Sequence, residues 1–236
     1  MQREPIVVAI SLGLFLSLCG CGGKGDQESG HQRAPVYTDR TPEEWLELIQ
    51  HPRSVSARNQ ALDAIISYQK DGEDMVSELT KLVGTAKSDA RLSVIRCLGE
   101  MRKTAAPAIP ALAEALGDKT FRHRDGAAKS IGMIGADAEH AVPALVAALK
   151  DSDPRVRGEA TAALGAYRDH ADKIVPEMMA LLEDRDPNVV ALACDGLAGL
   201  GSKAARAVPA LQKLKNSSEF IVQQAAGEAL RKIRGR

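Results

Sequence analysis

The stretch VPALVAALKDSDPRVRGEATAALG, residues 142–165, carries the pattern that decides the fold. Apolar residues recur at helical spacing on both sides of an Asp-Ser-Asp-Pro turn, so the stretch predicts two helices. Pro143 falls in the first turn of the first helix, predicted over 141–150, where its missing N–H costs least. Asp153 is placed to cap the second helix, which begins at Pro154. The predicted core faces comprise Val142, Leu145, Val146 and Leu149, then Val156, Ala160, Leu164 and Tyr167.

The same pattern recurs along the chain with a constant period. Prolines stand at positions 110, 143, 176 and 209, an equal interval of thirty-three positions, and the frame extends backwards to Ser77 and Glu44. Apolar or aromatic residues occupy the offsets +2, +17, +21 and +24 from each of these six reference positions. Six in-phase units across 41–236 predict a repeat architecture, with units that start near 44, 77, 110, 143, 176 and 209.

The composition favours closely packed helices. Of 236 residues 44% are hydrophobic, yet the chain has 37 alanines and only seven aromatic residues. Large aromatic side chains dominate the core of most single-centred globules, whereas Ala and Leu head the helix-propensity ranking. The formal net charge is zero, which argues against a dedicated nucleic-acid binder, and the hydrophobic fraction is too high for a disordered chain.

The proline in the first helix, the Asp-Pro-x-Val-Arg turn and the Ala-x-x-x-Leu-Gly of the second helix resemble HEAT repeats of the short class first associated with phycobilisome lyases. The resemblance covers 41–236. It implies an all-α, right-handed α-α superhelix of about six two-helix repeats, with first helices on the convex side and second helices lining the concave side. Ankyrin repeats share the repeat period, but their Thr-Pro-Leu-His motif is absent here.

The amino-terminal residues have the pattern of a targeting signal. Ile6–Leu18 is an unbroken uncharged run, shorter than the roughly 20 apolar residues that span a bilayer but typical of a secretory signal core. The following Leu18-Cys19-Gly20-Cys21 resembles the bacterial lipobox. The resemblance implies that residues 1–20 are a cleaved lipoprotein signal peptide and that Cys21 carries diacylglycerol on its sulfur. The alternative is an ordinary cleaved signal peptide.

Residues 21–40 are Gly-rich and polar, which is typical of a flexible tether. In lipoproteins an Asp directly after the lipidated cysteine tends to retain the protein in the inner membrane, and Gly22 stands there instead. We therefore expect an exported protein, lipid-anchored to a bacterial membrane. The outer membrane is favoured, and the protein faces the periplasm or the cell surface.

The sequence shows no catalytic or metal-binding constellation, and we expect no cofactor. The histidines outside the tether fall at different repeat phases near turns, and no His-x-x-x-His or Cys-x-x-Cys pair occurs. Cys97 and Cys194 lie three repeats apart, on the order of 30 Å at ordinary helix spacing. A disulfide needs Cα atoms within about 7 Å, so we expect two small core residues.

One cationic row stands out at the offset +14 from four successive reference positions: Arg58, Arg91, Arg124 and Arg157. Two interpretations are open. In the structural one, implied by the HEAT resemblance, each arginine pairs with an aspartate six residues earlier, so that Asp118 joins Arg124 and Asp151 joins Arg157. Arg58 and Arg91 have no such aspartate, since Pro52 and Thr85 stand at that offset.

In the functional interpretation, the row belongs to a concave binding face formed by Arg91, Arg96, Arg124, Lys129 and Arg157. Charges counted along each second helix predict a basic amino-terminal half of this face and an acidic or apolar fifth unit. Such a face would orient an acidic partner, since charge complementarity sets specificity and association rate.

The sequence thus predicts a membrane-anchored, non-catalytic scaffold or adaptor that binds an unidentified protein or peptide in the bacterial cell envelope, and no nucleic acid. The alternative is an enzyme or enzyme subunit, lyase-like, that uses the concave groove as a small-molecule site. A pocket with convergent polar groups or shifted pKa values would favour the alternative.

Overall fold

The structure is a computed structural model that describes residues 40–70, 75–86 and 88–235. The chain divides between Pro35 and Val36 into two units, and every described residue belongs to the second. The signal peptide, Cys21 and the tether up to residue 39 lie outside the described residues. No described helix is long and apolar enough to cross a membrane.

The described residues form twelve α-helices and no strand. The α-helices are α1 Pro42–Gln50, α2 Val55–Lys70, α3 Met75–Thr85, α4 Ser88–Glu100, α5 Ile109–Gly117, α6 Arg124–Ile134, α7 Ala138–Ala148, α8 Pro154–Leu164, α9 Ala171–Ala180, α10 Pro187–Leu200, α11 Val208–Leu214 and α12 Phe220–Ile233. Short 3-10 segments lie at Arg102–Ala108, Arg168–His170, Leu181–Glu183 and Gly201–Ala207.

The helices fall into six consecutive pairs, one pair for each repeat unit. The even-numbered helices, from α2 to α12, pack against one another in succession, and each also packs against the odd-numbered helix of its own unit. The predicted all-α solenoid of six two-helix repeats is therefore confirmed.

The core is a narrow seam between the two helix layers. The small residues predicted at the offset +17 are fully buried in all six units: Ala61, Val94, Ala127, Ala160, Ala193 and Ala226. At the offset +21 a larger aliphatic residue fills the seam in every unit, and Leu230 is the most exposed of the six at 5%. The seam accommodates alanine and leucine, which accounts for the scarcity of aromatic residues.

The second helices approach one another closely because glycines face their neighbours. A Cβ at Gly132 would lie 2.8 Å from the Cα of Ala163, and a Cβ at Gly196 would lie 2.6 Å from the backbone oxygen of Thr161. Real Cβ atoms essentially never approach so near. Glycines at these positions therefore allow the backbones of neighbouring second helices to pack closely.

The predicted turn-and-cap geometry is also confirmed. The Asp153 carboxylate accepts a 2.9 Å hydrogen bond from the backbone N–H of Arg155 at the start of α8. Asp186 does the same, at 2.9 Å, for Asn188 at the start of α10. These bonds satisfy amide groups that a helix start leaves without a partner.

The predicted start of the first helix is wrong in unit four. Helix α7 begins at Ala138, not at residue 141, so Pro143 lies inside the helix, and Pro176 lies inside α9 in the same way. A proline within a helix removes one hydrogen bond to the carbonyl four residues earlier. At Pro143 that carbonyl belongs to Glu139, an exposed residue, so the lost bond removes no buried contact.

Candidate functional site

Three arginines of the cationic row form a ladder of ion pairs between repeats. Arg91, Arg124 and Arg157, on α4, α6 and α8, each bond to an aspartate 27 residues later, in the turn of the next unit. The shortest bonds are 2.7 Å to Asp118, 2.9 Å to Asp151 and 2.8 Å to Asp184. The expected pairing with an aspartate six residues earlier in the same unit is therefore wrong.

Asp151 shows how the ladder joins one repeat to the next. Its side chain is 1% exposed and receives two bonds from the Arg124 guanidinium, one from Lys119 and one from the backbone N–H of Asp153. Burial pushes the pKa of Asp151 up, but the hydrogen bonds from Arg124 and the other donors hold it below its usual range. Arg157 in turn donates to the backbone oxygen of Asp151 at 3.0 Å, which connects successive rungs.

The ladder ends where the sequence loses one member of a pair. Arg91 bonds to Asp118 and lies over the Phe121 ring at 4.4 Å, a cation–π contact. Arg58, one unit earlier, forms no ion pair with any residue the structure describes, because Thr85 occupies the position of the aspartate. In unit five Val190 stands in place of the arginine.

These contacts divide the five residues predicted for the concave binding face into two groups. Arg124 and Arg157 are 8% and 6% exposed, and Arg91 is half-buried, so all three belong to the ladder. Arg96 and Lys129 are exposed and line a groove along the second helices. The structure therefore assigns the arginine row mainly to stability and leaves Arg96 and Lys129 available for binding.

The amino-terminal part of the groove has two adjoining sections that share Leu92, Arg96, Glu100 and His123. A section of about 370 Å³ lies between α2 and α4, and one of about 350 Å³ lies between α4, α6 and α8. Their charged lining consists of Arg58, Asp63, Asp89, Arg96, Glu100, Asp125, Lys129 and Glu159.

The carboxyl-terminal section, between α10 and α12, is the largest at about 910 Å³. Its lining includes Leu192, Phe220 and Ile221, and the last two are 69% and 48% exposed. The charged side chains that line it are Asp195 and Glu228. This part of the groove is thus apolar and acidic, as predicted for the fifth unit.

The prediction that the amino-terminal half of the groove is basic is wrong. Five carboxylates line the two amino-terminal sections, against three cationic side chains. Counting charges along the sequence included Arg91 and Arg124, whose charges are neutralised by aspartates of the following unit. Across all three sections seven carboxylates face three cations, so the groove as a whole is acidic.

Two groove carboxylates have raised pKa values. Burial raises the pKa of Glu159, with Asp125 adding to the effect and Lys129 opposing it. Burial likewise raises the pKa of Asp195, with Lys232 opposing it and Glu228 adding to it. Sequence reasoning did not single out these residues, because the groups that shift their pKa values belong to neighbouring repeats.

The cysteines and histidines of the described chain lie in the core and near turns. Cys97 and Cys194 are buried, as expected of core residues, and burial raises the pKa of both thiols to about 12. His140 is exposed and contacts Asp137 at 3.0 Å, whereas His123 and His170 are half-buried, and His123 lines the groove. Among the described residues, no group of His, Cys, Asp or Glu side chains is arranged to hold a metal ion.

Comparisons with known proteins agree with this geometry. A sequence model of HEAT repeats matches residues 109–175 and 142–231, together more than half of the chain. A comparison with curated protein sequences gave no match. An engineered protein superposes with a TM-score of 0.60 at 23% identity, covering 82% of this chain and 96% of that one.

Two further structures are similar in fold. The CpcE–CpcF complex of the phycocyanin lyase of Nostoc sp. has a TM-score of 0.60 at 21% identity, covering 70% of this chain and 66% of that one. A designed armadillo repeat protein in complex with the peptide (KR)4 has a TM-score of 0.56 at 19% identity, covering 81% and 98%. At these identities the likeness establishes the fold alone, while the family match extends over most of the repeats: the chain belongs to the HEAT-repeat family.

Proposed function

We propose that this protein is a lipid-anchored, non-catalytic scaffold whose HEAT repeats bind a protein or peptide partner in the bacterial cell envelope. The single observation that carries the binding role is the contrast between the two sets of charges on the second helices. The ladder arginines are all paired, whereas the exposed Arg96 and Lys129 form no ion pair with any described residue.

Exposed charges without an ion-pair partner among the described residues favour a binding partner over a purely structural role. A charge that serves only the fold gains most from a partner within the fold, as the Arg157–Asp184 pair does. Arg96 and Lys129 make no such contact within the described chain and remain accessible to a second molecule. HEAT and armadillo-like repeats offer extended concave surfaces of this kind, and the designed armadillo repeat protein with the (KR)4 peptide is one such complex.

The lipid anchor rests on the sequence alone. The uncharged run Ile6–Leu18 and the following Leu18-Cys19-Gly20-Cys21 supply the signal core and the lipobox. Several acyl chains at Cys21 would give stable anchoring, where a single chain is marginal. The Gly-rich tether after Cys21 would let the repeats stand off the membrane surface.

In-cell photo-crosslinking tests the binding role. A photoreactive residue replaces Arg96 or Lys129 in the groove and, as the control, Glu114 on the exposed surface of α5. We expect a specific crosslinked species, identified by mass spectrometry, from the groove positions and none from Glu114. An identical pattern from all three positions would contradict the proposal.

One section of the groove favours a second function, an enzyme or enzyme subunit with a small-molecule site. Arg96, His123, Lys129 and Glu159 converge on the 350 Å³ section, and burial raises the pKa of Glu159. A carboxylic acid with a raised pKa is suited to proton transfer. Saturable binding of a small molecule that is abolished by Glu159→Gln, with no groove crosslink, would support this function over the scaffold.

A further inference from the structure

The charge of the groove indicates which charge its binding partner carries. Among the described residues, six of the seven groove carboxylates form no ion pair, namely Asp63, Asp89, Glu100, Asp125, Glu159 and Asp195. Glu228 is the exception, since Arg231 and Lys232 contact it at 2.7 and 3.5 Å. The groove therefore holds an excess of unpaired negative charge over its three cations.

For three of these carboxylates, further observations show that the surroundings do not fully stabilise the negative charge. Burial raises the pKa of the half-buried Glu159, and partial desolvation raises that of Asp195 although its side chain is exposed, so both surroundings disfavour the ionised form. One carboxylate oxygen of Asp125 is buried and accepts no hydrogen bond from any described residue. Ammonium or guanidinium groups of a bound segment would donate to these oxygens and stabilise the ionised forms.

The carboxyl-terminal end of the groove adds an apolar requirement. Phe220 and Ile221 are exposed beside Leu192 in the 910 Å³ section, and Asp195 lies in the same lining. Val55 is the one comparably exposed large apolar residue elsewhere in the described chain, and it lines none of the groove sections. Large apolar side chains of a partner would bury Phe220 and Ile221 and remove apolar surface from water.

We propose that the groove binds a cationic, extended segment of a protein partner that presents Lys or Arg side chains along α4 to α10 and a large apolar side chain at the α10–α12 section. This inference rests on the proposed scaffold function and identifies its partner by charge. It replaces the acidic partner expected from the sequence, because the ladder aspartates neutralise the arginines behind that expectation.

Fluorescence anisotropy with the full solenoid and defined peptides tests the inference. The probe is a labelled peptide of alternating lysine and glycine that ends in Phe-Leu. One comparison peptide has glutamate in place of lysine, and another ends in Ser-Ser. We expect the lysine probe to bind, with affinity that falls as salt is raised, the glutamate peptide not to bind, and the Ser-Ser peptide to bind less tightly.

Matched variants locate the binding. The groove variant carries Glu159→Gln and Asp195→Asn, and its control carries Glu114→Gln and Glu183→Gln, two exposed positions outside the groove sections. Both remove two negative charges. We expect the groove variant to weaken probe binding about tenfold and the control to leave it unchanged, with circular dichroism melting curves confirming that each variant is folded.

The apolar end is tested with Phe220→Ser and Ile221→Ser, against Val55→Ser as the control. We expect the first two to abolish the preference for Phe-Leu over Ser-Ser and the control to retain it. Tighter binding of the glutamate peptide, no binding of the lysine probe, or equal losses in groove and control variants would overturn the cationic-partner inference. The scaffold function fails separately, on the absence of a groove-specific crosslink in cells.

Discussion

The guanidinium of Arg157 donates two hydrogen bonds, each 2.8 Å, to the two carboxylate oxygens of Asp184 in the turn of the following repeat. The two side chains are 7% and 9% exposed. A bidentate pair is the strongest arrangement these groups can form, and here it joins two successive units. The ladder therefore acts on the interface between repeats, where the cooperativity of a solenoid resides.

The first prediction concerns the loss of this pair. We expect Asp184→Asn to lower the free energy of unfolding by about 3–5 kcal/mol, because removing one partner leaves a buried charge without its counter-ion. Urea denaturation followed by circular dichroism measures the change. As the control, Asp169→Asn removes one member of the Asp169–Lys203 pair, whose side chains are 94% and 50% exposed. We expect that change to have a much smaller effect, since solvent screens an exposed pair. Equal effects would contradict the role given to burial.

The ladder also shows a pairing that the sequence alone does not determine. The row of arginines and the row of turn aspartates are both visible in the sequence, and each pair is separated by 27 residues, which is one repeat period less six positions. The residues predict a ladder, but pairing Arg124 with Asp118 or with Asp151 depends on how the turns of adjacent units stack. That stacking is a property of the tertiary structure, in which Arg124 pairs with Asp151.

The fold followed from the sequence more completely than the site did. Periodicity alone placed Ala61 and Ala127 in the seam, because a residue that recurs in phase must face the same neighbour in every unit. The charged residues of the groove do not recur with the repeat period. The raised pKa of Asp195 comes from partial desolvation and from Glu228 on α12, and Phe220 is exposed at the start of the same helix. Neither is visible in a pattern within one unit.

The second prediction concerns pH. The Thr120 hydroxyl and Arg91 hold the pKa of Asp118 below its usual range, and Arg157 does so for Asp184 against the effect of burial. The folded-state pKa values are thus lower than the unfolded value of about 3.9. The ladder then contributes stability that is fully present above that value and is lost as the pH falls through the folded-state values. We expect melting temperatures to fall steeply below pH of about 4.

A melting series compares the wild-type chain with Asp184→Asn. Because the variant already lacks one ladder carboxylate, its melting temperature should depend less on pH in this acid range than that of the wild type. Parallel curves for the two proteins would show that other carboxylates govern acid unfolding.

The third prediction concerns the close approach of the second helices. We expect Gly196→Ala to destabilise the protein by about 1–3 kcal/mol, the range for overpacking a well-packed core, since the added Cβ would lie 2.6 Å from the backbone oxygen of Thr161. Gly227→Ala is the matched control within α12, where an added Cβ meets nothing within 4 Å. There alanine should stabilise the helix by up to about 1 kcal/mol. Thermal unfolding should show a lower melting temperature for Gly196→Ala and a higher one for Gly227→Ala. A change in the same direction in both variants would contradict the packing argument.

The fourth prediction concerns the anchor. We expect Cys21→Ser to produce a protein that no longer partitions into the detergent phase after extraction, because the serine hydroxyl does not replace the thiol that carries diacylglycerol. The control is Cys19→Ser, which keeps Leu18, Gly20 and Cys21 of the lipobox in place. It should partition like the wild type. If the Cys21→Ser protein still partitions into the detergent phase, lipidation at this residue is refuted. If both variants lose partitioning, the substitutions impair export and not acylation.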